Sequence, residues 1–337
     1  SFEGTLLFVS HDRALLNRLA TLTLHLNHGE LTPYVGNFDS FLEQKELKES
    51  QNEKSLARLQ KRMGEIEKFV DRFKAKASKA KQAQSKLKML MRLKSLESEF
   101  DTDDDTDSIF FSMKEPIQSG REVLKTEKLC VGYGDKVLSK NISLTIERGQ
   151  KIAIIGANGI GKSTFLKTIA GKNKLCAGSF NFGHNVNFAY FAQEQKDVFD
   201  EEENILNNVL RFSPEHTKER EARSLLGSFL FRGDDVYKPF SVLSGGEKSR
   251  VGLVTLLMQN ANFLILDEPT NHLDMSSCTM LSKALEDYAG TVLFVSHDRD
   301  FIDSFATHIF AMTAEGESAC FEGHLDDYER LAKLSGF

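Results

Sequence analysis

The segment that most restricts the fold is residues 151–164, KIAIIGANGIGKST. Lys151–Ile155 has the length and apolar content of a buried strand, and it runs without a gap into the pattern GxxxxGK[ST]. Gly156, Gly159 and Gly161 let the backbone curl until its N–H groups converge on an anion. A helix beginning near Lys162 adds the positive end of its dipole to that nest. Strand, anion-cradling loop and helix in this order call for a mostly parallel α/β sheet. The pattern predicts a nucleotide site in which Gly156, Asn158, Gly159 and Gly161 supply the cradle. Lys162 would neutralise the β- and γ-phosphates, Ser163 would hold magnesium and Thr164 would reach the α-phosphate.

A second apolar run, Phe263–Leu266, delivers Asp267 and Glu268 at the carboxyl end of a predicted strand, where open α/β sheets place their ligands. Two adjacent carboxylates there can divide the work: Asp267 orients magnesium through water, and Glu268 polarises an attacking water. LSGGEKSR at 243–250 puts Ser244, Gly245 and Gly246 at a helix N-terminus, a second end suited to a phosphate. Gln193 follows the apolar run Phe188–Phe191 and can touch magnesium and the attacking water. His297 can hydrogen-bond a γ-phosphate.

The turn holding His297 is one half of a repeat. Residues 4–13, GTLLFVSHDR, and 290–299, GTVLFVSHDR, differ at one position, and Tyr34–Phe38 echoes Phe321–Leu325 more weakly. Each copy is predicted as a buried strand (Thr5–Val9, Thr291–Val295), a polar Ser-His-Asp turn and a helix. The second copy closes a domain that begins far upstream, whereas the first has no such body before it. Residues 1–41 are therefore expected to be the tail of a first domain, 42–118 a linker and 119–337 a second domain.

The linker has its own chemistry. Residues 38–97 contain no proline and one glycine, Gly64, as long helices require. Leu56, Leu59, Met63, Ile66, Val70 and Phe73 follow a coiled-coil spacing, which Ala80, Ala83, Leu87 and Leu90 resume. A helical hairpin turning within 73–80 is expected. Residues 72–94 hold nine Lys or Arg and no acid, in a chain whose net charge is -6. Arg72, Lys74, Lys76, Lys79, Lys81, Lys86 and Lys88 are candidate phosphate contacts to a nucleic acid. Residues 97–107 then carry seven acids, a solvated connector.

Composition narrows the setting. The four cysteines, Cys130, Cys176, Cys278 and Cys320, lie far apart without a CxxC pair, which fits reduced thiols in a cytoplasmic protein. No apolar run nears the ~20 residues that span a bilayer.

The phosphate loop, Gln193, LSGGE, LILDEPTNHLD at 264–274 and VSHDR occur in the order and spacing of the ABC ATPases, which this segment resembles. The resemblance implies an α/β P-loop domain with a RecA-like core, an antiparallel β subdomain and a helical subdomain, preceded by an α-helical coiled-coil hairpin linker. It implies ATP and Mg2+ as cofactors, Tyr133 stacked on adenine, and Asp274 linking two ATP sites across a dimer. Asn271-His272, Glu247 and the linker RFKAKASKAKQAQSK narrow the resemblance to the ABC-F subfamily. Those proteins are tandem, have no membrane domain, and act on the ribosome with the hairpin near tRNA and rRNA. In that arrangement each domain covers the other's nucleotide. The site with Lys162 lacks a facing signature, and that with Ser244–Gly246 and His11 lacks a phosphate loop. Completion by a first domain or a second copy, and very slow hydrolysis by this chain alone, are expected. Rival readings are a DNA-binding ABC-F-like ATPase, the ATPase subunit of a membrane transporter, and a scaffold that uses ATP only to fix its shape.

Overall fold

The computed structural model describes residues 4–10, 13–27, 29–73, 85–94, 115–134, 136–192, 199–271, 273–313 and 318–335. The chain divides into two compact units, Ser1–Ser108 and Ile109–Phe337.

The first unit runs α1 (Arg13–Leu19), β1 (Leu22–Asn27), β2 (Glu30–Val35), α2 (Phe38–Phe73) and α3 (85–94). Leu59, Met63, Ile66 and Val70 form one stripe along α2, and Met63 and Ile66 are buried with Leu90 of α3, flanked by Met89 and Leu93. Leu87, expected in this seam, is instead 40% exposed, in the first turn of α3 and one turn before the buried Leu90. Lys86 and Lys88 are exposed on α3, and Lys94 pairs with Glu67 of α2 at 3.2 Å. Arg72 belongs to the last turn of α2. The expected hairpin turn, with Lys74, Lys76, Lys79, Lys81, Ala80 and Ala83, and the acidic run 97–107 lie outside the described residues.

The repeat is structural as well as textual. The order α1-β1-β2-α2 is matched by α9 (Arg299–Phe305), β10 (His308–Met312), β11 (Ser318–Glu322) and α10 (Leu325–Ser335), with an antiparallel strand pair in each. Arg13 pairs with Asp39 at 2.8 Å as Arg299 pairs with Asp326 at 3.6 Å. Tyr34 meets Phe41 edge-on at 4.9 Å, as Phe321 meets Tyr328 at 5.2 Å. One part of the repeat fails. Thr5–Val9 was expected as a buried strand but forms none, with Leu7 81% and Val9 94% exposed. Its counterpart Thr291–Val295 is fully buried because two parallel neighbours take up its backbone groups, and no strand flanks 5–9 among the described residues.

The second unit begins with a three-stranded antiparallel sheet, β4-β3-β6, of β3 (Glu122–Tyr133), β4 (Lys136–Glu147) and β6 (Ala177–Phe182). β5 (Lys151–Ile155) leads to α4 (Lys162–Ile169), and β7 (Phe188–Phe191) follows β6. α5 (Ile205–Arg211), α6 (Glu219–Ser228), two short 3-10 turns and α7 (Gly245–Met258) form a helical region between β7 and the next strand of the sheet. β8 (Phe263–Asp267), α8 (Met275–Asp287) and β9 (Thr291–Val295) precede the repeat elements. The main sheet has the order β11-β10-β5-β9-β8-β7, parallel except for β10–β11.

Central strands of a parallel sheet are covered on both faces and read as unbroken apolar runs. β8 and β9 are buried at all five positions. On one face Ile152, Ile154, Ile265 and Leu293 pack with Phe165 and Leu166 of α4 and with the antiparallel sheet. On the other, Ala153, Leu264, Leu266 and Phe294 pack with the helical region and α8 and α9. The carboxyl ends of β5, β8 and β9 consequently open at one rim, where the polar residues gather.

Candidate nucleotide site

The loop after β5 bends through positive φ at Gly156 (149°), Gly159 (83°) and Gly161 (105°), the region side chains avoid. A methyl group on Gly156 would strike the Ile160 side chain and the Met312 carbonyl, so glycine is required there for contact as well. α5, α7, α8 and α9 are capped by side chains of Asn204, Ser244, Asp274 and Asp298; like α6 at Lys218, α4 starts at Gly161 with no side-chain cap. Its first amides are left for a ligand. Lys162 is buried, and its Nζ donates to the carbonyls of Gly156 (2.8 Å) and Ala157 (3.1 Å). Burial pulls its pKa down, opposed by the charges of Glu268 and Asp267.

Asp267 ends β8, fully buried, and accepts from Ser163 Oγ at 2.7 Å through Oδ1. Successive strand residues point to opposite faces, but Glu268 leaves the strand with φ 52°, its N–H donating to Val295 O at 3.0 Å. That left-handed backbone costs about 1 kcal/mol for a non-glycine residue. It turns the Glu268 carboxylate toward His297, with 3.2 Å between Oε1 and Nε2. Burial raises the pKa of both acids; Ser163 opposes this at Asp267, and His297 opposes it at Glu268. Asp267 Oδ2 and Glu268 Oε2 are buried without a hydrogen-bond partner.

A cavity of about 400 Å³ joins these groups, lined by Tyr133, Leu138, Asn158, Gly159, Gly161, Lys162, Ser163, Thr164, Glu268, Asn271 and His297. Thr164 sits beside the half-exposed Tyr133 and holds its phenol pKa below the ordinary value. The lining accordingly brings together nine of the residues expected from sequence, with Asp267 behind Ser163. Leu138 and Asn271 were not expected as lining. Asn271 follows Glu268 in a tight turn, N–H to Glu268 O 3.2 Å, so its nearness to an acidic pair was the available signal. Hydroxyl and carboxylate oxygens with an unpaired buried anionic oxygen suit a hard cation such as magnesium, and uncapped amides with Lys162 suit phosphate.

Other expected residues stand apart from the cavity. Ser244 caps α7, donating through N (2.8 Å) and Oγ (2.6 Å) to Glu247, and Gly245 and Gly246 form the first turn. Asp274 caps α8, accepting from Ser277 N at 2.7 Å, and pairs with Arg250 at 2.9 Å. Burial pushes its pKa up, but these bonds outweigh it and lower the value. His11 and Gln193 lie outside the described residues.

The comparisons agree with this geometry. Residues 139–271 match the family model described as ABC transporter, and 24–111 match a second, extension model with the same description. The chain is 38% identical over 332 residues to the probable ATP-binding protein YbiT of Escherichia coli O157:H7, covering 97% of this chain and 61% of that protein. It is 40% identical over 332 residues to the putative ATP-binding protein YdiF of Bacillus subtilis (strain 168), covering 97% and 50%. The chain therefore spans about half to three fifths of the length of these relatives. A solved ATP-binding subunit of an ABC transporter superposes with a TM-score of 0.55 at 23% identity, over 64% of this chain and 95% of that one. The RNase-L inhibitor gives 0.52 at 24%, over 65% and 43%. The fold is that of the P-loop ABC ATPases, and residues 139–271 are an ATPase domain of the ABC transporter family. No helix among the described residues is long and apolar enough to cross a membrane.

Proposed function

We propose that the chain is the second ATPase domain and linker of an ABC-F protein that hydrolyses ATP and acts on the ribosome. The observation that carries the ATPase reading is the buried acidic pair at the end of β8, set against an uncapped phosphate loop and paired with His297. Glu268 would accept the proton of the attacking water, and burial, by raising its pKa, makes it a stronger base than a solvated carboxylate. His297, exposed on its outer side, would meet the γ-phosphate, and Lys162 would exchange its two loop carbonyls for phosphate oxygens. Ser163, Asp267 and Gln193 would hold magnesium, which supplies charge neutralisation across the β- and γ-phosphates. Tyr133, with Leu138 beside it on the cavity wall, would stack on adenine.

Ser244–Gly246 are absent from the lining of the Lys162 cavity, which supports a signature that serves a second nucleotide-binding domain. Asp274 would then contribute to the same contact between domains, as would His11 at the opposite site. The ribosome reading rests on the nine bases and no acid of residues 72–94. Phosphate contacts by lysines among small side chains fit structured RNA better than base readout. The test is co-sedimentation with ribosomes of the complete Glu268→Gln protein in ATP. Retention with ATP and release without it is the expected result. Partition with membranes or preference for branched DNA over ribosomes would replace this reading.

A further inference from the structure

Beneath the phosphate loop, one polar group has no task in the site so far described. Tyr190 lies on β7 opposite Ile265, and residues paired across parallel strands point to the same face. Asp267 is two residues beyond Ile265, so Tyr190 and Asp267 share the face covered by α4. The packing agrees: Tyr190 is set against the cluster of Ile265, Phe263 and Phe165. Its ring is anchored in apolar contact on the face that also carries Asp267. Tyr190 Oη and Asp267 Oδ2 are both buried, and neither has a hydrogen-bond partner with good geometry among the described residues. The opposite oxygen, Oδ1, is already held by Ser163 Oγ at 2.7 Å.

We propose that Tyr190 is a positioning residue for the magnesium site, donating its O–H to Asp267 Oδ2 and locking the carboxylate plane that Ser163 holds at Oδ1. A carboxylate pinned at one oxygen still swings about its last torsion, which blurs its aim at a metal-bound water. A second donor removes that freedom, and each oxygen keeps a lone pair for the water. Hydrogen bonds of this kind are often open without ligand and close when the charged group arrives. Outer donors to a metal-directing carboxylate are typically worth 10- to 100-fold in metal affinity.

The inference rests on the reading of Asp267 as the magnesium-directing acid, and the experiment separates the two. Manganese, followed by electron paramagnetic resonance in the presence of ADP, is the probe for this chain. Tyr190→Phe keeps the ring in its cluster and is expected to weaken manganese binding about tenfold, with ADP affinity in EDTA unchanged. Asp267→Asn tests the underlying reading: manganese affinity unaffected there removes the site itself. An affinity lost in Asp267→Asn but kept in Tyr190→Phe overturns the tyrosine's role alone. Equal losses of ADP affinity with and without metal in Tyr190→Phe also overturn it, in favour of packing. Should that variant fold poorly, 3-fluorotyrosine at Tyr190 gives a fluorine line expected to shift with ADP and magnesium but not with ADP in EDTA. An unmoved line overturns the proposal.

Discussion

Lys162 and Glu268 hold opposite charges inside one rim, and each is less comfortable there without ligand than in water. Lys162 leans on two loop carbonyls in a setting that lowers its pKa. Lys162→Ala is expected to weaken ATP binding by about 2–3 kcal/mol, on the order of a hundredfold, as read by titration calorimetry. Glu268 has the reverse difficulty, because its folded pKa is raised by burial. An acid with a raised folded pKa contributes stability below its unfolded value, near 4.3, and loses that contribution as pH climbs through the folded value. Glu268→Gln removes the loss. The variant should be more stable than the parent by about 1 kcal/mol at pH 8, with a smaller gap at pH 4.5, in urea unfolding without nucleotide. It should still bind ATP and turn it over far more slowly.

At the scale of elements, α4 and α7 are contrasting helix starts. α7 is closed on itself by Ser244 and Glu247 through reciprocal bonds, and the interaction with Ser244 holds the Glu247 carboxyl below its usual range. Ser244→Ala should cost about 1 kcal/mol of stability while leaving ATP affinity at the Lys162 site unchanged, since the two ends do not share a cavity. A fall in affinity matching that of Lys162→Ala would place Ser244 in the same site. Just past the end of β6, a methyl group on Gly183 would collide with the Glu122 carbonyl, a backbone atom that cannot turn aside. Gly183→Ala should lower the melting temperature, and circular dichroism melts would show it.

At the scale of the whole molecule, the charge is distributed unevenly: residues 72–94 sum to +9 and the remainder to -15, giving -6. Replacing Lys74, Lys76, Lys79 and Lys81 with Glu should abolish ribosome co-sedimentation of the complete protein and leave ATP affinity unaltered. Binding by the unaltered protein should fall steeply with salt, as counterions released from phosphates require. Unchanged sedimentation in the reversed-charge variant would end the hairpin's role in RNA contact.

The nucleotide loop was legible in the sequence because its chemistry is local. Gly156, Gly159 and Gly161 are demanded by backbone geometry, and Lys162, Ser163 and Thr164 follow within one helical turn. The parallel strands were legible for a related reason: burial on both faces leaves apolar runs such as Phe263–Leu266 and Thr291–Val295. Thr5–Val9 has nearly the same letters as Thr291–Val295 and forms no strand, because a central strand exists only with neighbours to accept its hydrogen bonds. Only the tertiary structure decided that Glu268 turns back through a left-handed backbone to His297, and that Asp274 caps α8 while pairing with Arg250 of α7. It alone placed Tyr190 on the face of Asp267, since that depends on the register of β7 against β8, strands more than seventy residues apart in the chain. Local chemistry can be read along the chain, whereas pairing across a sheet depends on which segments the fold brings side by side.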